Sequence, residues 1–377
     1  MDIVNTLITW LSGALAALMV FVAAVLPHPA ARVVVAPPPA PPAQTVATTT
    51  AAFPKATAKP VQKKAVAKPL PVSSAPVSVV PAAPAPATQT APAKPQEQVN
   101  EETRGALVNI LCLPQTGFHG ISGSGVVVDS RGVILTNAHI GQYFLLRDYP
   151  TAGNVDCTIR TGSPAQNRYH AKLLYLPLAW IADNAAEFTA AQATGTGEND
   201  YAFLVITGTT DPAATLPASF PYLPMSKNYP DTGEEMLLAS YPAGFLASEL
   251  IEKSLYASSA VAYVTRLFSF DDNMQKVDLF SIGGTILSQA GSSGGAVVRL
   301  GSGILAGIIT TATVGDTTGV RDLRAVTLSH IDASLAFQDQ GGVATLLSGD
   351  LAAKVADFAS TIAPLERAAL VKVLGGN

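Results

Sequence analysis

Leu287-Ser288-Gln289-Ala290-Gly291-Ser292-Ser293-Gly294-Gly295-Ala296-Val297-Val298 is the stretch that decides how this chain of 377 residues is read. Apolar residues lie on both sides of a short turn built only from glycine and serine. A serine that acts as a nucleophile needs its hydroxyl on such a turn. It also needs two backbone N–H groups aimed at the developing oxyanion, and no bulky neighbour in the substrate's path. Gly291 permits the backbone conformation that turns an N–H inward, and Gly294 and Gly295 keep the far side open. Ser293, directly before the glycine pair, is the candidate nucleophile, with the amides of Gly291 and Ser293 as candidate oxyanion donors. A plain Gly/Ser β-turn has the same composition, so the motif needs partners elsewhere in the chain.

Two upstream runs supply them. In Ile134-Leu135-Thr136-Asn137-Ala138-His139 a histidine follows an apolar strand and a small residue, where it can serve a serine as general base. In Asn199-Asp200-Tyr201-Ala202-Phe203-Leu204-Val205 an acid opens an apolar strand, and a buried carboxylate there can fix the imidazole tautomer. Around them the texture is one of short strands. One series covers Leu107–Leu113, Gly123–Val128, Gly132–Leu135, Asp156–Arg160, Tyr169–Leu174 and Tyr201–Thr207. The second covers Glu235–Ser240, Leu255–Thr265, Ser281–Leu287, Gly295–Leu300, Gly303–Thr311 and Ala325–Leu328. Two series of six strands with hardly any helix predict an all-β fold of two six-stranded antiparallel barrels. From Ser329 onward Ala and Leu recur at helical spacing, which predicts two short helices packed on the barrels.

The order His139, Asp200, Ser293 in these contexts resembles the trypsin-like (chymotrypsin-fold) serine peptidases, nearest to their bacterial HtrA/Deg-like branch. Ser124-Gly125-Val126, Thr136–His139, Asp200-Tyr201-Ala202 and Gly291–Gly295 carry the likeness, and Leu237–Gly244 resembles the stretch that opens the second barrel. The resemblance implies a serine endopeptidase in which Ser293 attacks, His139 relays the proton and Asp200 orients His139. It implies polypeptide substrates and neither metal nor cofactor. Ser292 stands where digestive relatives carry Asp, so activation by an N-terminal ion pair is not expected. Too few residues follow the barrels for the PDZ domain usual in HtrA proteins. Pro177–Asn199 reads as an insertion, which leaves Asp183 and Glu187 as substitutes for Asp200. The primary pocket would be lined by Leu287, Ala290, Thr310 and Thr311; with no charged residue in those segments, a small or medium apolar substrate side chain is expected. In this fold the first and fourth strands are neighbours, which allows a Cys112–Cys157 disulfide. A catalytically silent peptide-binding or scaffolding module on the same fold is the rival function.

The N-terminal hundred residues differ in kind. Ile3–Leu26 is uncharged and apolar, and as a helix would span about 36 Å against a hydrocarbon core of about 30 Å. It is expected to be a retained transmembrane anchor (residues 1–26); the rival reading is a cleaved signal peptide, against which stand the length of the run and the lack of Lys or Arg before it. Residues 27–100 hold 17 of the chain's 28 prolines and are expected to form a disordered linker. The peptidase domain then covers residues 101–340, its barrels about 101–210 and 211–340, with a helical segment at 341–377. Residues 1–100 carry seven basic residues against two acids; the remainder carries 16 against 25. An acidic folded part argues against a nucleic-acid partner. The two cysteines show no metal-type spacing. The expected location is a single-pass membrane protein with its catalytic domain outside the cytoplasm. The sequence does not give the oligomeric state.

Overall fold

The computed structural model describes residues 93–189, 196–271, 276–338 and 340–375. The expected anchor, Ile3–Leu26, and nearly all of the expected linker lie outside them. Among the described residues no helix is long and apolar enough to cross a membrane.

The first ordered element is α1 (Gln96–Ala106), which begins inside the expected linker and moves its end back from Asn100. Val99, Thr103 and Ala106 form its buried stripe at helical spacing. The stripe escapes a sequence reading because it holds one large apolar residue among eleven. Pro95 sits just before it, where a missing N–H costs nothing.

β1 (Leu107–Pro114), β2 (Ile121–Asp129), β3 (Val133–Thr136), β4 (Val155–Thr161), β5 (Gln166–Tyr175) and β6 (Ala202–Thr209) follow. They close into a barrel in the order β1-β2-β3-β6-β5-β4. β3 is buried along its whole length, between β2 and β6. β1 pairs with β4 so that Cys112 stands directly opposite Cys157. The two form a disulfide with Cα atoms 4.0 Å apart, slightly under the usual lower bound of about 4.4 Å.

The second half departs from the expected six-stranded barrel. β7 (Glu235–Ser240), β8 (Ser258–Tyr263), β9 (Arg266–Phe268), β10 (Leu279–Gly283), β11 (Ala296–Arg299), β12 (Leu305–Ala312) and β13 (Leu323–Thr327) form one seven-stranded sheet. Its order is β8-β7-β11-β12-β13-β10-β9, so β8 and β9 remain as edges and the sheet is a half-barrel. β9 is three residues long, too short to show an alternating pattern.

Short helices decorate the strands. α2 (Ala138–Gly141) follows β3, α3 (Leu178–Asn184) occupies the expected insertion, and α4 (Ser248–Lys253) lies between β7 and β8. The C-terminal region holds four helices rather than two: α5 (Leu328–Phe337), α6 (Gly342–Leu347), α7 (Leu351–Thr361) and α8 (Ala363–Val373). The helical segment therefore starts before residue 341. Gly341 and Gly342, both with positive φ, separate α5 from α6, and Pro364 marks the start of α8. Thr327 caps α5 by accepting from the His330 N–H, and Asp350 caps α7 by accepting from Ala352 and Ala353. α3 buries Trp180 and Ile181 and packs on α8.

Candidate active site

His139 sits on α2, just past the point where β3 ends. Its ring Nδ1 lies 2.9 Å from Asp200 Oδ2 and 3.1 Å from Oδ1. The backbone N–H of His139 also donates to Asp200 Oδ1 at 3.0 Å. The remaining demand of this carboxylate is met by Thr310, whose hydroxyl donates to Oδ2 at 2.7 Å. The Asn137 side chain donates to the Asp200 carbonyl at 2.8 Å, which ties the end of β3 to the acid's own backbone. Asp183 is exposed on α3 and His139 pairs with Asp200, so the insertion does not supply the acid in this arrangement.

Asp200 is only 5 % exposed, and burial alone would drive its pKa up. The His139 charge, the bonds from His139 and the Thr310 hydroxyl outweigh burial and hold the carboxyl below its ordinary range. Burial likewise disfavours the imidazolium of His139, but the Asp200 charge and hydrogen bond prevail and hold that pKa above its ordinary value. With His139 neutral, the carboxylate holds the ring proton at Nδ1, which leaves Nε2 able to accept a proton.

Asp200 follows a residue in an unusual conformation. Asn199 has φ of 58°, the left-handed region, which non-glycine residues enter at a cost. Its side chain is held from α5, where Ser334 Oγ donates to Asn199 Oδ1 at 2.8 Å. Tyr201 OH donates to the same Ser334 oxygen at 2.9 Å. A C-terminal helix therefore fixes the turn that presents the acid, and no local sequence signal marks that link.

The Gly291–Gly295 loop approaches this pair through neighbours in sequence. Gly294 N–H donates to the Ile309 carbonyl at 2.8 Å, and Thr310 next to Ile309 holds Asp200. Ser293 and Thr310 line one cavity. Ser292 points the other way: it is 1 % exposed, and its hydroxyl accepts from Ser240 at 3.0 Å. Of the two adjacent serines only Ser293 faces the cavity.

Peptide orientation turns two N–H groups of this loop away from the protein's own acceptors. The Ala290 carbonyl accepts from the Ala243 N–H at 2.8 Å. In a trans peptide the N–H points opposite to the carbonyl, so this bond turns the Gly291 N–H away from Ala243. The Ser292 carbonyl accepts from the Gly295 N–H at 2.9 Å and orients the Ser293 N–H in the same way. Neither the Gly291 nor the Ser293 N–H has a protein acceptor among the described residues. Gly291 has φ of 87°, and a Cβ there would sit 2.6 Å from the Tyr241 carbonyl; at Gly294 one would sit 2.0 Å from the Ser124 carbonyl. Both glycines are required by this packing.

Ser124 on β2 ties the loop to the first barrel. It donates through Oγ to the Gly291 carbonyl and accepts there from the Tyr241 N–H, each at 2.8 Å. Its own N–H donates to the Ser293 carbonyl at 2.8 Å. The sequence points to Ser124 as part of a motif but not to this bridging role, which needs both halves of the fold in place.

The cavity beside Ser293 holds about 330 Å³ and is lined on one side by Ala290 and on the other by Thr310 and Ala312. One expected lining residue needs correction. Leu287 is fully buried in the core of the second sheet and does not line the cavity. The backbone of Thr311 pairs with Arg324 across β12 and β13. Arg321, absent from the expected lining, is part of the wall. It precedes β13 and returns to the cavity after the Thr313–Val320 loop, a fold-back that the spacing does not reveal. Among the described residues no group of His, Cys, Asp and Glu could hold a metal ion.

A family model described as "Trypsin-like peptidase domain" matches residues 123–308. No curated protein matches the sequence. Among solved structures, the chain is similar to the Rv3671c protease from M. tuberculosis in its active form, at 18 % identity and a TM-score of 0.40. That likeness covers 69 % of this chain and 93 % of the other. It is also similar to the HtrA-type protease AlgW solved with a tripeptide, at 17 % identity and a TM-score of 0.41, over 66 % of this chain and 65 % of the other. The family match spans His139, Asp200 and Ser293 together: residues 123–308 carry a trypsin-like peptidase domain, the domain of a serine endopeptidase.

Proposed function

We propose that the chain hydrolyses peptide bonds through Ser293, His139 and Asp200, and that it does so at a membrane surface outside the cytoplasm. The observation that carries the catalytic assignment is the Asp200 carboxylate, gripped at once by the His139 ring, the His139 backbone and Thr310. In the proposed cycle the Ser293 oxygen attacks the scissile carbonyl as its proton passes to His139 Nε2. The carbonyl oxygen becomes an oxyanion held by the Gly291 and Ser293 N–H groups. The C–N bond then breaks, and His139 returns the proton to the leaving amine. Water repeats the sequence on the acyl-enzyme with the same base, releasing the acid and restoring Ser293. Among the described residues the His139 ring bonds only Asp200, so in the proposed cycle substrate binding brings the Ser293 hydroxyl to Nε2.

Support for the membrane location comes from the apolar run Ile3–Leu26 and from the Cys112–Cys157 bond, since such bonds persist in oxidising compartments. Residues 27–92 would then tether the domain to its anchor. Labelling with a fluorophosphonate probe, paired with a casein assay, tests the catalytic part. Ser293→Ala should lose both signals and Ser292→Ala should keep labelling. The reverse pattern would overturn the assignment of the nucleophile, and a wild-type chain that never labels would leave a silent binding module.

A further inference from the structure

We propose that the cavity beside Ser293 is a specificity pocket for an acidic side chain, Glu or Asp, on the acyl side of the scissile bond, with Arg321 as its recognition group. The proposal rests on the peptidase reading above and names the substrate class of that site.

Arg321 reaches the wall of the cavity that Ser293, Ala290 and Thr310 also line. Its Nε donates to the Gly315 carbonyl at 2.8 Å and its Nη1 to the Ser288 carbonyl at 3.3 Å. One acceptor lies on the loop before β13 and the other on the segment before the nucleophile, so the fork is fixed between two walls. Fixing an arginine in advance removes most of the ordering cost of using it.

Its charge has no counterion among the described residues. Arg131, Arg266, Arg299 and Arg324 each pair with an acid. Arg321 has no carboxylate within 4.0 Å among the described residues. The adjacent Asp322 is already engaged by Ser281, Arg266 and Arg324, and that engagement holds its carboxyl below the ordinary range against the effect of burial. A half-buried guanidinium that keeps a donor free and faces a cavity is short of an anion.

The rest of the cavity limits what that anion can be. About 330 Å³ is at the small end of ligand pockets, and Ala290, Ile309 and Ala312 give the lining its small apolar part. A short apolar stem ending in a carboxylate suits such a lining, and a bidentate carboxylate matches the guanidinium fork. A lysine or arginine side chain would meet a like charge. An aliphatic side chain would seal Arg321 from water without replacing its hydration, the cost that an unpaired buried ion carries. The loop that delivers Arg321 is pinned, because Gly319 packs so closely on Gly284 that a Cβ on Gly284 would sit 2.0 Å from the Gly319 carbonyl.

The test uses the full chain in detergent and quenched peptides that differ only at the residue before the cleaved bond: Glu, Gln, Asp, Val, Ala, Phe and Lys. Probe labelling of Ser293 is scored first, so a chain that does not label fails the peptidase reading and not the pocket. In a labelling chain, kcat/KM for Glu should exceed that for its neutral isostere Gln by about tenfold to a hundredfold, the range of a charge-assisted hydrogen bond. Arg321→Gln should bring that ratio to within about twofold of one. The ratio is internal to each variant, so a general loss of activity cancels. Arg321→Lys, which keeps the charge and loses the fork, should retain an acid preference of reduced size. Cleavage after Val or Ala in preference to Glu, or a Glu:Gln ratio that survives in Arg321→Gln, would overturn the proposal.

Discussion

Replacing Glu366 by Gln should stabilise the folded domain, and the gain should grow with pH. Glu366 lies on α8, is 0 % exposed, and neither carboxylate oxygen has a hydrogen-bond partner among the described residues. Burial pushes its pKa up to about 8, and its charge in turn bears on the nearby Tyr175. In the unfolded chain the same carboxyl titrates near 4.3. Between those two values the folded protein holds a proton that the unfolded chain has released. Stability therefore falls as pH rises across that window, by about 1.4 kcal/mol per pH unit. Above pH 8 the folded carboxyl also ionises and the loss levels off. At pH 5 the cost is about 1 kcal/mol, and at pH 7 it is on the order of 3–4 kcal/mol. A glutamine side chain at this position has the same shape, carries no proton to lose and escapes that cost. With about 2–4 °C in Tm per kcal/mol for a domain of this size, Glu366→Gln should raise Tm by roughly 6–15 °C at pH 7. The increase at pH 5 should be much smaller. Thermal unfolding followed by near-UV circular dichroism at pH 5, 6, 7 and 8 measures it, in a Ser293→Ala background that prevents self-digestion. Parallel Tm–pH curves for the two chains would refute the reasoning, because they would mean that Glu366 releases its proton at an ordinary pH in the fold.

Three further outcomes follow from the site and the barrel. Activity should rise with pH through an inflection above the ordinary imidazole value of about 6.5, because Asp200 favours protonated His139 and the base must be neutral to act. Asp200→Asn should cost on the order of 10⁴ in kcat and move that inflection down; an unmoved inflection would mean that another group titrates. Ser124→Ala removes a buried bond to the Gly291 carbonyl and strands the Tyr241 N–H. It should lower kcat about tenfold to a hundredfold with KM nearly constant, and a loss confined to KM would contradict its role in holding the oxyanion donors. Cys112→Ser with Cys157→Ser opens a loop of 45-residue separation and should lose about 4 kcal/mol in denaturant unfolding. Reduction of the parent chain should reproduce the loss, and identical midpoints with and without reductant would show the thiols free.

The runs that hold the candidate triad are legible because their pattern is local. Gly291–Gly295, Thr136–His139 and Asp200–Ala202 each place a reactive group beside a short apolar strand, and a few residues suffice to show it. The strands of the first barrel are legible for a related reason, since each is long enough to display its buried positions. What escapes is whatever depends on residues far apart in the chain. Ser334 supports Asn199 across 135 positions, and Ser124 meets Gly291 across 167. Arg321 looks like an ordinary charge on a loop until the loop is folded back over Ser288. β9 and α1 escape for want of pattern, one through its three residues and the other through a stripe with a single valine. The closure expected of the second barrel fails because sequence gives strands and not which edges meet.

Arg160 on β4 carries a consequence for the order in which the chain is made. Its guanidinium is 1 % exposed and donates to four oxygens: Asn109 Oδ1 and the carbonyls of Ala165, Ile251 and Glu252. Two of these belong to its own barrel, but Ile251 and Glu252 come 91 and 92 residues later. During synthesis or export the first barrel's strands emerge complete while this cation still lacks half of its acceptors. Until the segment around α4 has followed, water must stand in for those two carbonyls. A fragment cut after β6 would possess every strand of its barrel and still lack two of the four oxygens that hold this cation in the complete fold.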